Sequence, residues 1–96
     1  MRIRRLVIDV LKPHEPSVLE YADKVTAVPG VDGVFINVVE IDEQTESIEI
    51  AVEGKDLDYE RIKGVIEELG GSVHSIDRVY AGSTLIKPPD HRTESR

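Results

Sequence analysis

The sequence predicts an α+β sandwich, on three observations. Apolar residues alternate with period two in three separate segments, and a fourth is strand-like with a broken alternation. Two segments between them carry apolar residues at i, i+3, i+4 and i+7, the spacing of one helical face. Their order along 96 residues is βαββαβ. Each βα unit is followed by a strand of the same sheet, and right-handed crossovers put both helices on one sheet face. The prediction is a ferredoxin-like sandwich, a four-stranded antiparallel sheet with two helices on one face.

The first strand spans Ile3 to Leu11. Leu6, Ile8 and Val10 alternate with Val7, Asp9 and Leu11. Both sets are largely apolar, as suits a central strand. Lys12-Pro13-His14-Glu15-Pro16 breaks it, and Pro16 suits a first helical turn, where its missing N–H costs nothing. Val18, Tyr21, Ala22 and Val25 then share a helical face that Pro29-Gly30 ends. Val31 to Ile41 is the second strand, with Val34, Ile36 and Val38 on one face and Phe35, Asn37 and Val39 on the other. Asp42 to Glu46 connects it to a third strand, in which Ile48, Ile50 and Val52 alternate with Glu49, Ala51 and Glu53.

The second helix carries the fullest set of end signals. Asp58 caps it, Leu57 and Ile62 have hydrophobic-staple spacing, and Ile62, Val65, Ile66 and Leu69 form its buried stripe. Gly70-Gly71 supplies a left-handed stop. The fourth strand runs from Ser72 to Ala81, and its uneven apolar spacing (Val73, Ile76, Val79) suggests a bulge. Residues 1–84 form the domain, and 85–96 read as a polar, mobile tail. The sheet face without helices should carry Val7, Asp9, Leu11, Phe35, Asn37, Val39, Glu49, Ala51 and Glu53. So apolar a face calls for a second subunit or a ligand to cover it.

Composition narrows the function. There is no cysteine, which excludes disulfides, thiolate metal sites and cysteine nucleophiles. No apolar run reaches the roughly 18 residues of a membrane span, and no signal peptide is evident, so the expected location is cytoplasmic. A charged fraction of 32% with Asn37 and Gln44 as the only side-chain amides resembles a thermophile's composition. The formal charge is −7, and residues 40–60 hold nine acids against Lys55 alone. The bases gather toward the chain ends (Arg2, Arg4 and Arg5, then Arg78, Lys87, Arg92 and Arg96), and ends of opposite sign would favour head-to-tail association, although a solvated acidic face accounts for the pattern more simply.

Asp9, Glu49 and Glu53 on the open face disfavour nucleic-acid binding, since carboxylates repel phosphate. Oxygen ligands suit hard cations such as calcium or magnesium. The candidates are Asp9, the hairpin acids Glu40, Asp42 and Glu46, and Asp77 beside His74. None has EF-hand spacing, and hairpin acids are ordinary turn residues. Asp9 within a central strand needs a partner if buried, such as Arg78, Asn37, a cation or a second subunit. His14, Glu15 and His74 are candidates for holding a small ligand. The plainer reading makes His14 an exposed loop residue and His74 a hydrogen-bonded strand-edge residue. No triad, Walker loop or dinucleotide loop is present.

Four motifs in order carry a resemblance: Leu11-Lys12-Pro13-His14-Glu15-Pro16; Glu40-Ile41-Asp42 with Thr45; Gly54-Lys55-Asp56-Leu57-Asp58; and Gly70-Gly71-Ser72-Val73-His74-Ser75-Ile76-Asp77. Over residues 3–82 the chain resembles a family of small archaeal proteins, domain of unknown function family 211. That resemblance implies a ferredoxin-like fold and homo-oligomeric, ring-like assembly. It implies no assigned reaction; bound calcium is compatible with it, with no ligands assigned. The leading expectation is a non-enzymatic, self-assembling module binding a small ligand or hard cation near subunit boundaries. Two alternatives stand beside it. One is a small enzyme using Asp9, His14, His74 or Asp77; the other is a purely structural or partner-binding ring subunit.

Overall fold

Leu6, Ile8 and Val10 occupy alternate positions of strand β1 (Ile3–Pro13), and all three are buried in the computed structural model, which describes residues 1–89. The elements that follow are α1 (Val18–Thr26), β2 (Val31–Ile41), β3 (Thr45–Gly54), α2 (Tyr59–Glu68) and β4 (Ser72–Ala81). The strands form one antiparallel sheet in the order β2-β3-β1-β4. This is the ferredoxin-like α+β fold. Among the described residues no helix is long and apolar enough to cross a membrane.

The core lies between the helices and one sheet face. Leu6, Ile8 and Val10 of β1 stand opposite Val52, Ile50 and Ile48 of β3, and all six are buried. Tyr21 and Val25 of α1 and Ile62 and Ile66 of α2 close over them. Ser17 caps α1 by accepting from the Leu19 N–H, and Asp58 caps α2 by accepting from the Arg61 N–H. At the end of α2, Gly70 adopts φ +92°, the left-handed stop its position predicts.

Several expectations need correction. β1 does not stop at Leu11, because Lys12 pairs with Glu46 and Pro13 with Thr45. Pro16 lies before the α1 cap and not in its first turn, and the Glu15–Pro16 peptide is cis. In β2 the register against β3 passes from Val38↔Ile48 to Glu40↔Ser47, so Val39 is bulged. Glu40 therefore takes the open-face position expected of Val39. The bulge expected in β4 is present twice, where the register against β1 skips His74 and Asp77. The expected tail from residue 85 has no regular secondary structure up to residue 89, and its remainder lies outside the described residues.

Gly54 shows where the fold has no slack. A β-carbon there would stand 2.0 Å from the Gly30 carbonyl oxygen and 2.7 Å from Leu57 Cδ2, so β3 and the turn after α1 touch backbone to backbone. We expect Gly54→Ala to lower stability by about 3 kcal/mol or more, since overpacking against backbone cannot relax cheaply. Gly33→Ala, with nothing within 4 Å of the added carbon, should change the thermal midpoint little. Paired melts of the two variants test this; equal midpoints would refute it.

Candidate functional site

The alternation that buries Leu6, Ile8 and Val10 continues to Lys12, and that of Ile48 and Ile50 on β3 runs back to Glu46. The register sets these two side chains opposite each other at the end of the core-facing stripe. Lys12 is consequently 0% exposed. Its ammonium donates to the carbonyls of Pro13 (2.7 Å) and His14 (3.3 Å) and to Glu46 Oε1 (3.1 Å). Three N–H groups thus meet three acceptors, which a buried ammonium requires. The Tyr21 ring lies on its remaining side, with Nζ 5.3 Å from the centroid, within cation–π range. Tyr21 is anchored in turn, its hydroxyl donating to the Leu69 carbonyl at 3.1 Å.

Glu46 uses its second oxygen as well. Oε2 stands 2.9 Å from His14 Nδ1, and His14 Nε2 stands 2.9 Å from the Glu43 carbonyl oxygen. The β1–α1 loop, the start of β3 and the β2–β3 turn therefore meet in one polar cluster. The hydrogen bond from His14, followed by that from Lys12, holds the Glu46 carboxyl below its usual range. The Glu46 carboxylate, then the Glu43 carbonyl, raise His14 above the ordinary histidine value. Burial, foremost, pushes the Tyr21 phenol up.

The sequence-level candidates are distributed as follows. His14 and Glu46 are brought together, whereas Glu15 is exposed beside them. Glu40 and Asp42 are exposed, and the Asp42 N–H closes the turn on the Thr45 carbonyl at 2.8 Å. Asp9 is half-buried on the open face, opposite Glu49 and Ser75. Its suggested partner Arg78 donates instead to the Tyr80 hydroxyl at 3.2 Å. Asp77 accepts from Ser75 Oγ at 2.7 Å, and His74 is exposed on the β4 edge strand. Among the described residues no three His, Cys, Asp or Glu side chains converge as a metal ion would need. Two open clefts lie elsewhere, about 420 Å³ beside β4 and about 610 Å³ between the helices.

Lys-Pro reads as a strand breaker, which hides Lys12 in the sequence. The signal was nonetheless there, since Lys12 falls two residues after Val10 on the buried face. Tyr21 was recognised as core but not as the platform beneath a cation.

Breaking the Lys12–Glu46 pair from one side leaves an uncompensated buried charge, whereas replacing both partners does not. Glu46→Gln should therefore lower the thermal midpoint more than Tyr21→Phe, which removes one hydrogen bond worth about 1 kcal/mol. Adding Lys12→Met to Glu46→Gln should recover part of the loss. A double-mutant cycle with additive midpoint changes would refute the coupling.

Three of the four resembling motifs meet here: Lys12 to Pro16, the hairpin acids with Thr45, and the Gly70 turn, which packs beside Pro13. A model of the family described as uncharacterized ArCR, domain of unknown function family 211, matches residues 4–95. The chain is also similar to an uncharacterized protein of Methanocaldococcus jannaschii, 49% identical over 85 residues, which is 88% of each chain. With the fold, the motifs and both comparisons in agreement, the chain belongs to the archaeal domain of unknown function family 211.

Proposed function

We propose that the protein is a cytoplasmic, self-assembling module, without catalysis of its own, that joins copies of itself edge to edge and binds a small ligand or hard divalent cation near the boundary. The observation that carries this reading is the state of the two sheet edges. β2 and β4 are 11 and 10 residues long, and each has an outer edge with no neighbouring strand among the described residues. Neither contains a proline or a lysine, two of the guards against strand addition; what guards them are their bulges and a few charges. Both show apolar side chains to solvent: Phe35 (61% exposed), Val39 and Ile41 (66% exposed) on β2, and Ile76 and Val79 on β4.

Because the two edges lie at opposite sides of one sheet, joining β2 of one copy to β4 of the next is a head-to-tail contact, which closes into a ring where the rotation permits. β2 contributes acids and no base, whereas β4 carries Arg78 and His74 beside Asp77, so β2 against β4 sets fewer like charges together than β2 against β2. A cation at such a boundary would need oxygen ligands from both copies, because no single copy gathers three among its described residues. Asp77 on edge strand β4, bonded to Ser75, and Asp9, which stands opposite Ser75 on β1, are the candidate acids on that side of the sheet. Glu46 is outside it, since both of its oxygens are already engaged.

Sedimentation velocity across a wide concentration range, together with native mass spectrometry with and without chelator, tests the reading. The expected result is a defined oligomer that Val39→Lys or Ile76→Lys dissociates while leaving the circular dichroism spectrum unchanged. A chelator-sensitive added mass would identify the bound species as a metal. A monomer at every concentration would overturn the assembly reading.

A further inference from the structure

We infer that Lys12, His14 and Glu46 form a proton-operated latch, closed by the His14 imidazolium, that holds the β2–β3 turn against the β1–α1 loop and releases it as the ring loses its proton. His14 Nδ1 faces a carboxylate oxygen and Nε2 faces a carbonyl oxygen, both at 2.9 Å. As an ionised carboxylate and a carbonyl, these two partners only accept. A neutral imidazole carries one N–H and one lone pair, so it satisfies one partner and turns a lone pair toward the other. Only the doubly protonated ring makes both contacts.

The surroundings select which contact opens. From β1, the Lys12 ammonium holds the other Glu46 oxygen, and from α1 the Tyr21 ring backs Lys12. From the hairpin come the Glu46 carboxylate and the backbone at Glu43 and Asp42. Glu15 next to His14 is exposed, and the Gly70 turn packed on Pro13 presents no titratable side chain. Glu46 is therefore fixed from below by a buried cation, whereas Glu43 belongs to the exposed turn 42–44. When the ring becomes neutral, its remaining proton stays on the Glu46 side and the Glu43 contact is lost.

The sign of the dependence follows from the same partners. The folded state raises His14 above 6.5, so its contribution is complete below that value and is lost as pH rises through the raised one. The folded state lowers Glu46 below 4.5, so its contribution is present above that value and is lost as pH falls through the lowered one. The latch is fully closed between these limits. It opens at the turn on the alkaline side, and on the acid side it fails at the Lys12 pair. Nothing in it depends on a second copy of the chain.

The test is a pH titration of the full chain by nitrogen-15 NMR, reading the His14 ring nitrogens and the backbone amides of residues 42–46 together. Both ring nitrogens should be protonated at pH 6. The titration should lie above the ordinary histidine range, and the turn amides should follow the same midpoint. Above that midpoint their hydrogen exchange, corrected for its intrinsic pH dependence, should quicken by about tenfold. His14→Gln should abolish the step and leave the turn exchanging at the open-state rate at every pH, whereas His74→Gln should leave the step in place. A His14 ring with one neutral nitrogen at pH 6, or turn amides indifferent to its titration, would overturn the latch.

Discussion

The register of β1 against β3 settles which side chains enter the core and which meet at its edge. With Lys12 opposite Glu46, the apolar pairs Leu6 with Val52, Ile8 with Ile50 and Val10 with Ile48 all face the helices. A slip of one residue would flip β1 and carry Asp9 into the core while sending Lys12 to the open face. The hydrophobic pairs and the ion pair thus vote for the same register. The ion pair does so sharply, since a buried ammonium meeting three acceptors has no equivalent arrangement one position away.

The two ends of the sheet are built on different physics. At one end Gly54 and Gly30 bring two backbones into contact, and packing alone leaves no room for a side chain. At the other, the core stripe ends in a charged cluster whose every polar contact is accounted for, with Tyr21 tying it to the C-terminal end of α2. The first end is rigid through steric fit. The second joins a fully buried cation to a histidine that reaches solvent, so that a change of protonation at the surface is felt by a group inside. Between them lies the open face, where the rows Phe35–Ala51–Val7 and Asn37–Glu49–Asp9 run side by side across the sheet. Apolar and acidic rows thus share the face that carries no helix.

Much of this was legible in the residues because local rules and the global fold agree. β2 spans Val31 to Ile41 as its alternation implies, Asp58 caps α2, Gly70 stops it, and the broken apolar spacing of the last strand corresponds to bulges at His74 and Asp77. The misreadings share a cause. Lys12-Pro13 reads as a breaker because proline and lysine are poor strand residues on average, yet pairing with Thr45 and Glu46 carries the strand through them. Val39 was placed by strict alternation, which a bulge resets by one residue.

The element order, the faces of the helices, the buried positions of the central strands, the family, and His14 and Glu46 as residues of interest can all be read from the residues in order. Period and turn chemistry act over a few residues, and that is the range a sequence displays. That Lys12 is the centre of the site emerges only in the folded chain. Residues 12 and 46 are far apart along the chain, and the cost of an unpaired buried ammonium becomes relevant only once packing has closed over it. The role of His14 was decided in the same way, because whether a loop histidine is an idle side chain or a doubly engaged cation depends on which acceptors the fold sets against its two nitrogens.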